Sequence, residues 1–260
     1  MDEGLIDRQL VEVAAFKLLK ARRGIAFTGA GISVESGIPP FRGPGGLWNH
    51  YDPSFIELNF FRRHPSSAWG MIKEVFYDHF GKAKPNAAHR GLAWLEQEGL
   101  ISGVITQNID RLHQQAGSRN VIEFHGSNQY LVCLRCGERM LATEQILENL
   151  PPLCPVCGEV LKPDFVFFSE GIPEHAFERS LDETMLSDVW IVIGTMGEVM
   201  PACSMPIQAK RNGATIIEIN IQPSEFTDAI TDIFLRCPAS VGVRALKHVI
   251  LDLRDEGLDQ

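Results

Sequence analysis

The strongest constraint on this chain's fold is a set of short runs that are apolar throughout and rich in β-branched residues. Val104–Thr106, Val189–Ile193 and residues 215–219 show no alternation of polar and apolar positions. They predict strands buried on both faces, as in a parallel sheet. Residues 25–28 form a fourth such run, ending at Gly29-Ala30-Gly31, as a strand does where it meets a tight turn. Helical patterns lie between the runs. Residues 1–23 read as an amphipathic helix, with Leu5, Val13, Phe16 and Leu19 among its apolar positions. Residues 87–98 set Ala88, Leu92 and Leu95 on one face, with Gly99 just past the end. Strands alternating with helices predict an α/β domain built on a doubly wound, Rossmann-like parallel sheet.

Two segments interrupt that rhythm. Residues 41–84 are rich in aromatics, Pro and Gly, and residues 126–161 carry four clustered cysteines. Both read as insertions forming a smaller lobe, a helical piece and a metal module. The large domain then comprises residues 1–40, 85–125 and 162–260. Ligands of such folds sit at the carboxyl ends of the strands, so a cleft between the lobes is the expected working site.

The cysteines fall as Cys133-Leu-Arg-Cys136 and Cys154-Pro-Val-Cys157, with 17 residues between the pairs. Each pair can turn two thiolates toward one ion, which predicts a tetrahedral zinc site made of four cysteines. Four thiolates fill the shell, so the zinc would be structural and catalysis lies elsewhere. Cys203 and Cys237 have no such pattern.

Charge and hydropathy narrow the class further. A formal net charge of −9 argues against binding phosphate backbones and is compatible with cationic protein substrates. No apolar run approaches the roughly 20 residues needed to cross a bilayer. Charged residues are scattered through residues 1–20, leaving no signal-peptide core. The expected setting is cytoplasmic, with no membrane and no direct nucleic-acid contact. Nothing in the sequence indicates an oligomeric state.

Gly29-Ala30-Gly31-Ile32-Ser33 after a strand suits a dinucleotide-phosphate turn, although Gly37 comes late for the usual spacing. Its neighbours extend the pattern. Residues 29–43 read GAGISVESGIPPFRG, followed by Gly45-Gly46-Leu47-Trp48. Then come Thr106-Gln107-Asn108-Ile109-Asp110, His125-Gly126, Gly194-Thr195 and Glu218-Ile219-Asn220. In this order, interrupted by a four-cysteine metal site, the set resembles the sirtuin family over nearly the whole chain.

That resemblance implies an enzyme that consumes NAD to remove acetyl-like groups from lysines of other proteins, releasing nicotinamide and passing the acyl group to ADP-ribose. It implies His125 as the general base for a ribose hydroxyl, a task that suits an imidazole at neutral pH. Asp110 would hold the nicotinamide amide, Asn108 a ribose or an ordered water, and Gln107 the same ribose. Ile32 would pack near nicotinamide, Phe41 would screen the reacting ribose carbon, and Arg42 would face phosphate or ribose. Gly29, Ala30, Gly31, Gly194 and Thr195 would line the phosphates, Asn220 the adenosine ribose, and Cys237 the adenine. Val166, Phe167 and Phe168, in the segment 162–168, would receive an acetyl-lysine peptide. Among the other histidines, His113 is expected near the site; His50, His64, His79, His89, His175 and His248 show no pattern supporting chemistry.

The chain departs from the family where Met196 replaces Ser or Thr, Ser169 replaces Gly, and Cys237 stands where Gly often approaches adenine. Tyr77 is followed by Asp78-His79-Phe80, without the Arg that accompanies Tyr in sirtuins preferring acidic acyl groups, so neutral acyl groups are expected. Transfer of ADP-ribose to protein, or NAD binding without catalysis, are the alternatives.

Overall fold

A computed structural model describes residues 6–43, 45–79 and 82–257. The first five residues of the helix expected over 1–23, Leu5 included, lie outside the described residues, as do Pro44 and Phe80. In chain order the first half holds α1 (Arg8–Lys20), β1 (Gly24–Thr28), α2 (Leu58–Arg63), α3 (Pro65–Lys73), α4 (Ala87–Gln97), β2 (Val104–Thr106), α5 (Leu112–Gln115) and β3 (Val121–Glu123). Then follow β4 (Gly126–Cys133), β5 (Arg139–Leu141), α6 (Glu144–Leu147), β6 (Leu161–Phe165), α7 (Glu174–Leu186), β7 (Val189–Ile193), α8 (Ser204–Arg211), β8 (Thr215–Asn220), β9 (Ile233–Arg236) and α9 (Ala239–Asp255).

Six strands make a parallel sheet in the order β3-β2-β1-β7-β8-β9. The strands read as apolar throughout because both faces are covered, and alternate residues serve different cores. Ala26, Val104, Ile191, Ile193, Ile217 and Ile219 pack with Leu18, Leu92, Val243 and Leu246 from α1, α4 and α9. Ile25, Phe27, Ile105, Trp190, Val192 and Ile216 face the other way, onto Ala176, Met205 and Ala209 from α7 and α8. Helices on both faces make the sheet doubly wound, as the sequence predicts. The order reverses between β1 and β7, which lie side by side.

Local chemistry sets the helix ends. The Asp7 carboxylate accepts the Gln9 N–H at 2.9 Å, a cap worth ~1 kcal/mol. The Asn86 side chain accepts from Ala88 and His89 N–H, and Gly99 takes a left-handed φ of 73° just beyond α4.

Segment 41–84 is more helical than its weak periodicity suggests. It supplies α2, α3, short 3₁₀ turns and a π-type turn over Glu74–His79. Phe55, Phe61, Trp69 and Phe76 from this segment share one apolar cluster with Leu131, Leu161, Phe165 and Phe167. The buried Trp69 indole is satisfied by the Leu161 carbonyl at 2.8 Å. A three-stranded antiparallel sheet, β5-β4-β6, supplies Leu131, Leu161 and Phe165, and Phe167 follows its last strand. Strand β6 pairs with β4 through Leu161↔Cys133 and Gly126↔Phe165. Residues 162–165 therefore belong by pairing to the small sheet, although the expected boundary gave the large domain everything from 162 onward. Among the described residues, no helix is long and apolar enough to cross a membrane.

One close contact makes the α4–α9 packing testable. A Cβ on Gly91 would lie 2.3 Å from Val243 Cγ1, a stiff side chain buried in the core. Gly91→Ala should lower stability by about 1–3 kcal/mol despite its better helix propensity. Urea unfolding measures this, and an unchanged or higher midpoint would show that α9 yields.

Candidate functional site

A parallel sheet places the carboxyl ends of its strands along one edge, and the polar motifs follow those ends. Gly29–Ile32 follow β1, Gln107, Asn108 and Asp110 follow β2, and His125 stands two residues after β3. Gly194 and Thr195 follow β7, Asn220 ends β8, and Cys237 follows β9. Residues far apart in sequence thus line one edge.

At the switch point the backbone approaches itself closely. Gly29 N–H donates to Ile193 O at 3.0 Å, and Gly31 N–H to Gly194 O at 2.8 Å. A Cβ on Gly31 would sit 2.6 Å from Gly194 Cα, and one on Gly194 2.4 Å from Ile32 N. Gly194 also holds a left-handed φ of 62°. Only glycine fits these positions, since every obstructing atom is backbone. Gly29 is equally tight, with Gly194 O 2.8 Å from its would-be Cβ. After Gly29 the chain winds into a 3₁₀ turn, Ala30–Ser36, that buries Ile32 and Ser33.

Around Ser33 the side chains form one connected set. Its hydroxyl donates to Asp110 Oδ2 at 2.7 Å and lies 3.2 Å from Asn108 Nδ2 and 3.5 Å from His89 Nε2. Asn108 Nδ2 also donates to Gly29 O at 3.1 Å, and its backbone N–H to Thr106 Oγ1 at 3.1 Å. Both amide hydrogens of Asn108 are thereby used, and the acceptor Oδ1 is what it offers a ligand. Leu112 N–H donates to Asp110 Oδ1 at 2.9 Å. Burial pushes the Asp110 carboxyl above the usual range, against these two donors.

His89 and His113 underlie this set. His89 Nδ1 accepts the Asn86 N–H at 3.3 Å, which leaves Nε2 to carry the proton toward Ser33. Burial lowers its pKa to about 4, and His113 is likewise held well below the ordinary value. The two rings meet edge to face at 4.9 Å, and His113 Nε2 lies 2.9 Å from Thr28 Oγ1. His113 thus lies near the site as expected. His89, which showed no pattern, proves to be its close neighbour. The signal for it was the Asn86 cap with a residue three positions on that closes a capping box.

The geometry fixes the His125 tautomer. Its Nδ1 is 3.0 Å from the Gln107 carbonyl, which can only accept. Nδ1 therefore carries the proton and Nε2 keeps its lone pair. Burial lowers the His125 pKa, so the ring is neutral at neutral pH. Gln107 Nε2 donates to Thr195 Oγ1 at 3.1 Å, and Asn220 Nδ2 donates to Thr195 O at 3.0 Å, tying the ends of β2, β7 and β8 together. Cys237 N–H donates to Asn220 O at 3.0 Å, and burial pushes its thiol up to about 11. Phe41 stacks on Trp48 at 5.3 Å, and Arg42 Nε lies 3.9 Å from Glu198.

In the segment after β6, Val166 N–H donates to His125 O at 2.9 Å. Phe168 pairs through N–H to Ile56 O and through its carbonyl from Leu58 N–H. The Phe167 ring is packed in the core, whereas Phe168 is exposed. Ser169 holds a left-handed φ of 71°. The Cys133, Cys136, Cys154 and Cys157 sulfurs all lie within 4.8 Å of one another, spacing that a tetrahedral shell with ~2.3 Å metal–sulfur bonds accommodates.

The sequence matches the Sir2 family over residues 29–201. It is 44% identical over 223 residues to NAD-dependent protein deacylase 2 of Pyrobaculum aerophilum, covering 84% of this chain and 87% of that one. It is 45% identical over 231 residues to the NAD-dependent protein deacetylase of Caldivirga maquilingensis, covering 87% and 88%. The fold superposes with a TM-score of 0.85 and 36% identity on a Sir2 variant solved with deacetylated p53 peptide and 3′-O-acetyl ADP-ribose, covering 90% of this chain and 96% of that one.

His89 yields a pH prediction. In the unfolded chain a histidine takes a proton near pH 6.5, whereas the folded ring resists until about 4. Between those values the unfolded state binds the extra proton, so stability is full above 6.5 and is lost as pH falls toward 4. The loss is roughly 3 kcal/mol from this residue. Asp110, raised by burial, acts in the opposite sense. His89→Gln should flatten stability against pH over that window in denaturant titrations; an unaltered slope would remove His89 as its source.

Proposed function

The chain belongs to the Sir2 family, and we propose that it is an NAD-dependent protein lysine deacetylase. The observation that carries this reading is the His125 tautomer, an imidazole with a free Nε2 at the edge where the glycine cradle lies. In this chemistry the nicotinamide–ribose bond breaks and the acyl oxygen takes the ribose carbon; after a ribose hydroxyl attacks the acyl carbon, water adds and the carbon–nitrogen bond breaks, freeing the lysine amine and leaving the acyl group on ADP-ribose.

The residues divide the work. Gly29, Gly31 and Gly194 keep the turn free of side chains so that phosphates can come close to Ala30 and Thr195, with Arg42 adding charge. Asn220 takes the adenosine ribose, and Cys237 lies against the adenine. Asp110 accepts from the nicotinamide amide, which Ile32 covers, and Ser33 steadies that carboxylate. Asn108 Oδ1 and Gln107 bind the ribose bearing nicotinamide, while Phe41 shields its reacting carbon. His125 Nε2 accepts a proton from a hydroxyl of that ribose as the hydroxyl attacks the acyl carbon. The Val166 carbonyl accepts no hydrogen bond among the described residues and suits the amide N–H of an acyl-lysine.

The four clustered thiols are assigned to one structural zinc, held by Cys133, Cys136, Cys154 and Cys157, with no role in the chemistry. The division into a large domain of 1–40, 85–125 and 162–260, with 41–84 and 126–161 as the small lobe, is part of the same reading, adjusted where residues 162–165 pair with the small sheet. Cysteines free of disulfides support a cytoplasmic setting. Acetylated proteins or peptides are the partners, which a net charge of −9 attracts when they are basic. Tyr77 lies in an apolar setting that raises its pKa, and its hydroxyl has no hydrogen-bond partner among the described residues, which favours neutral acyl groups.

Two measurements test this. Elemental analysis should find one zinc per chain, and Cys136→Ser should lose it together with thermal stability; a metal-free protein that melts at the same temperature would sink the zinc assignment. Nicotinamide release from NAD should require an acetyl-lysine peptide, be slower with a succinyl-lysine peptide, and fall by about 10²-fold or more in His125→Ala. Release without peptide, with label from NAD fixed on protein, would favour ADP-ribosyl transfer; NAD binding without release would favour a binding role.

A further inference from the structure

Lys162 is a buried charge with no task in the chemistry described so far. Only 3% of it is exposed. An ammonium in such a place is costly unless it is paired and hydrogen-bonded. Its Nζ lies 3.0 Å from Glu170 Oε2, and it donates to Pro163 O at 2.8 Å and Phe165 O at 2.6 Å. All three donors of the ammonium are therefore used. The same nitrogen stands 4.1 Å from the Phe167 ring centroid, a cation–π contact.

Glu170 completes the closure. Its Oε2 accepts the Phe167 N–H at 2.7 Å, and its own N–H donates to Phe167 O at 3.1 Å. The pair thus closes the segment 165–170 on itself, from the carbonyl of Phe165 to the N–H and carbonyl of Phe167. His125 and Ile56–Leu58 hold Val166 N–H and both polar groups of Phe168. Within residues 166–168, what is left is the Val166 carbonyl. Ser169, at a φ of 71° that costs a serine where a glycine would be relaxed, lies inside the closed segment. A buried ion pair is seldom more stabilising than an apolar pair of equal volume. An apolar pair, however, cannot bind three backbone groups at fixed positions.

We propose that the buried Lys162–Glu170 pair is a positioning device for the acyl-lysine substrate, holding the segment 165–169 so that the Val166 carbonyl stays free and fixed beside His125. The pair acts on peptide binding and leaves NAD binding alone, because the backbone groups it holds, at Pro163, Phe165 and Phe167, lie in or just before this segment and none lies in the glycine turn. The proposal rests on the placement of the substrate peptide given above.

Steady-state nicotinamide release, with peptide and NAD varied separately, tests it in wild type, Lys162→Met and the double variant Lys162→Met/Glu170→Gln. The double variant leaves no unpaired buried charge, so it carries the test if Lys162→Met does not fold. The expected result is a KM for acetyl-lysine peptide raised about tenfold, from loss of a fixed geometry, with the KM for NAD within about twofold of wild type. An unchanged peptide KM in the folded double variant overturns the proposal. So does a parallel rise in both KM values, which marks a merely structural role. Wild type that releases no nicotinamide in response to peptide overturns the functional reading itself, and the positioning role with it.

Discussion

The contact on which the rest of this structure depends is between bare backbones. Where β1 and β7 separate, Gly29 and Gly31 lie against Gly194 with no room for a side chain on any of them. Absence of Cβ atoms lets the two strand ends stay in register to their last residues, and it lets the turn after β1 bond directly to the end of β7. Every polar residue of the site is placed relative to that junction. Asn108 donates to Gly29, Thr195 follows Gly194, and Gln107 and Asn220 both reach Thr195.

Beneath the junction the protein uses neutral histidines to support a charged-type site. His89 and His113 are buried deeply enough to stay neutral, and the Asn86 N–H fixes the donor and acceptor sense of His89. His89 accepts from the cap of α4 and faces Ser33, which donates to Asp110. A helix terminus is thus linked to the residue proposed to read nicotinamide. The ordering is one-directional, because an imidazolium at either place would lack an acceptor and face a second ring at 4.9 Å.

Much of this was legible in the sequence, and the exceptions share a cause. Apolar runs predicted β2, β7 and β8 because burial on both faces removes alternation, and the polar residues just past those runs stand along one edge of the sheet. The paired cysteines needed only their spacing. The membership of β6 was not readable, since it depends on pairing with β4 across the intervening cysteine loop. Lys162 reads as an ordinary surface lysine until Glu170 and two carbonyls are seen around it. His89 is set by Ser33, 56 residues away. The helices within 41–84 follow from packing around Trp69 and Phe76, which overrides their weak periodicity.

The small sheet leaves the large one at Gly126 and returns at Phe165, and those two residues are directly paired. A Cβ on Gly126 would lie 2.4 Å from Asp164 O, so departure and return are pressed together as closely as two chains can be. A segment whose ends adjoin in this way is a detachable cassette. Between its strand ends, its length, loops and outer surface can be exchanged over evolutionary time without moving the strands on either side of the cut, while Lys162 at the returning end stays to hold residues 165–170. His125 stands immediately before the cut and Val166 immediately after it, so the two groups proposed to meet the substrate form the hem to which any such cassette is sewn.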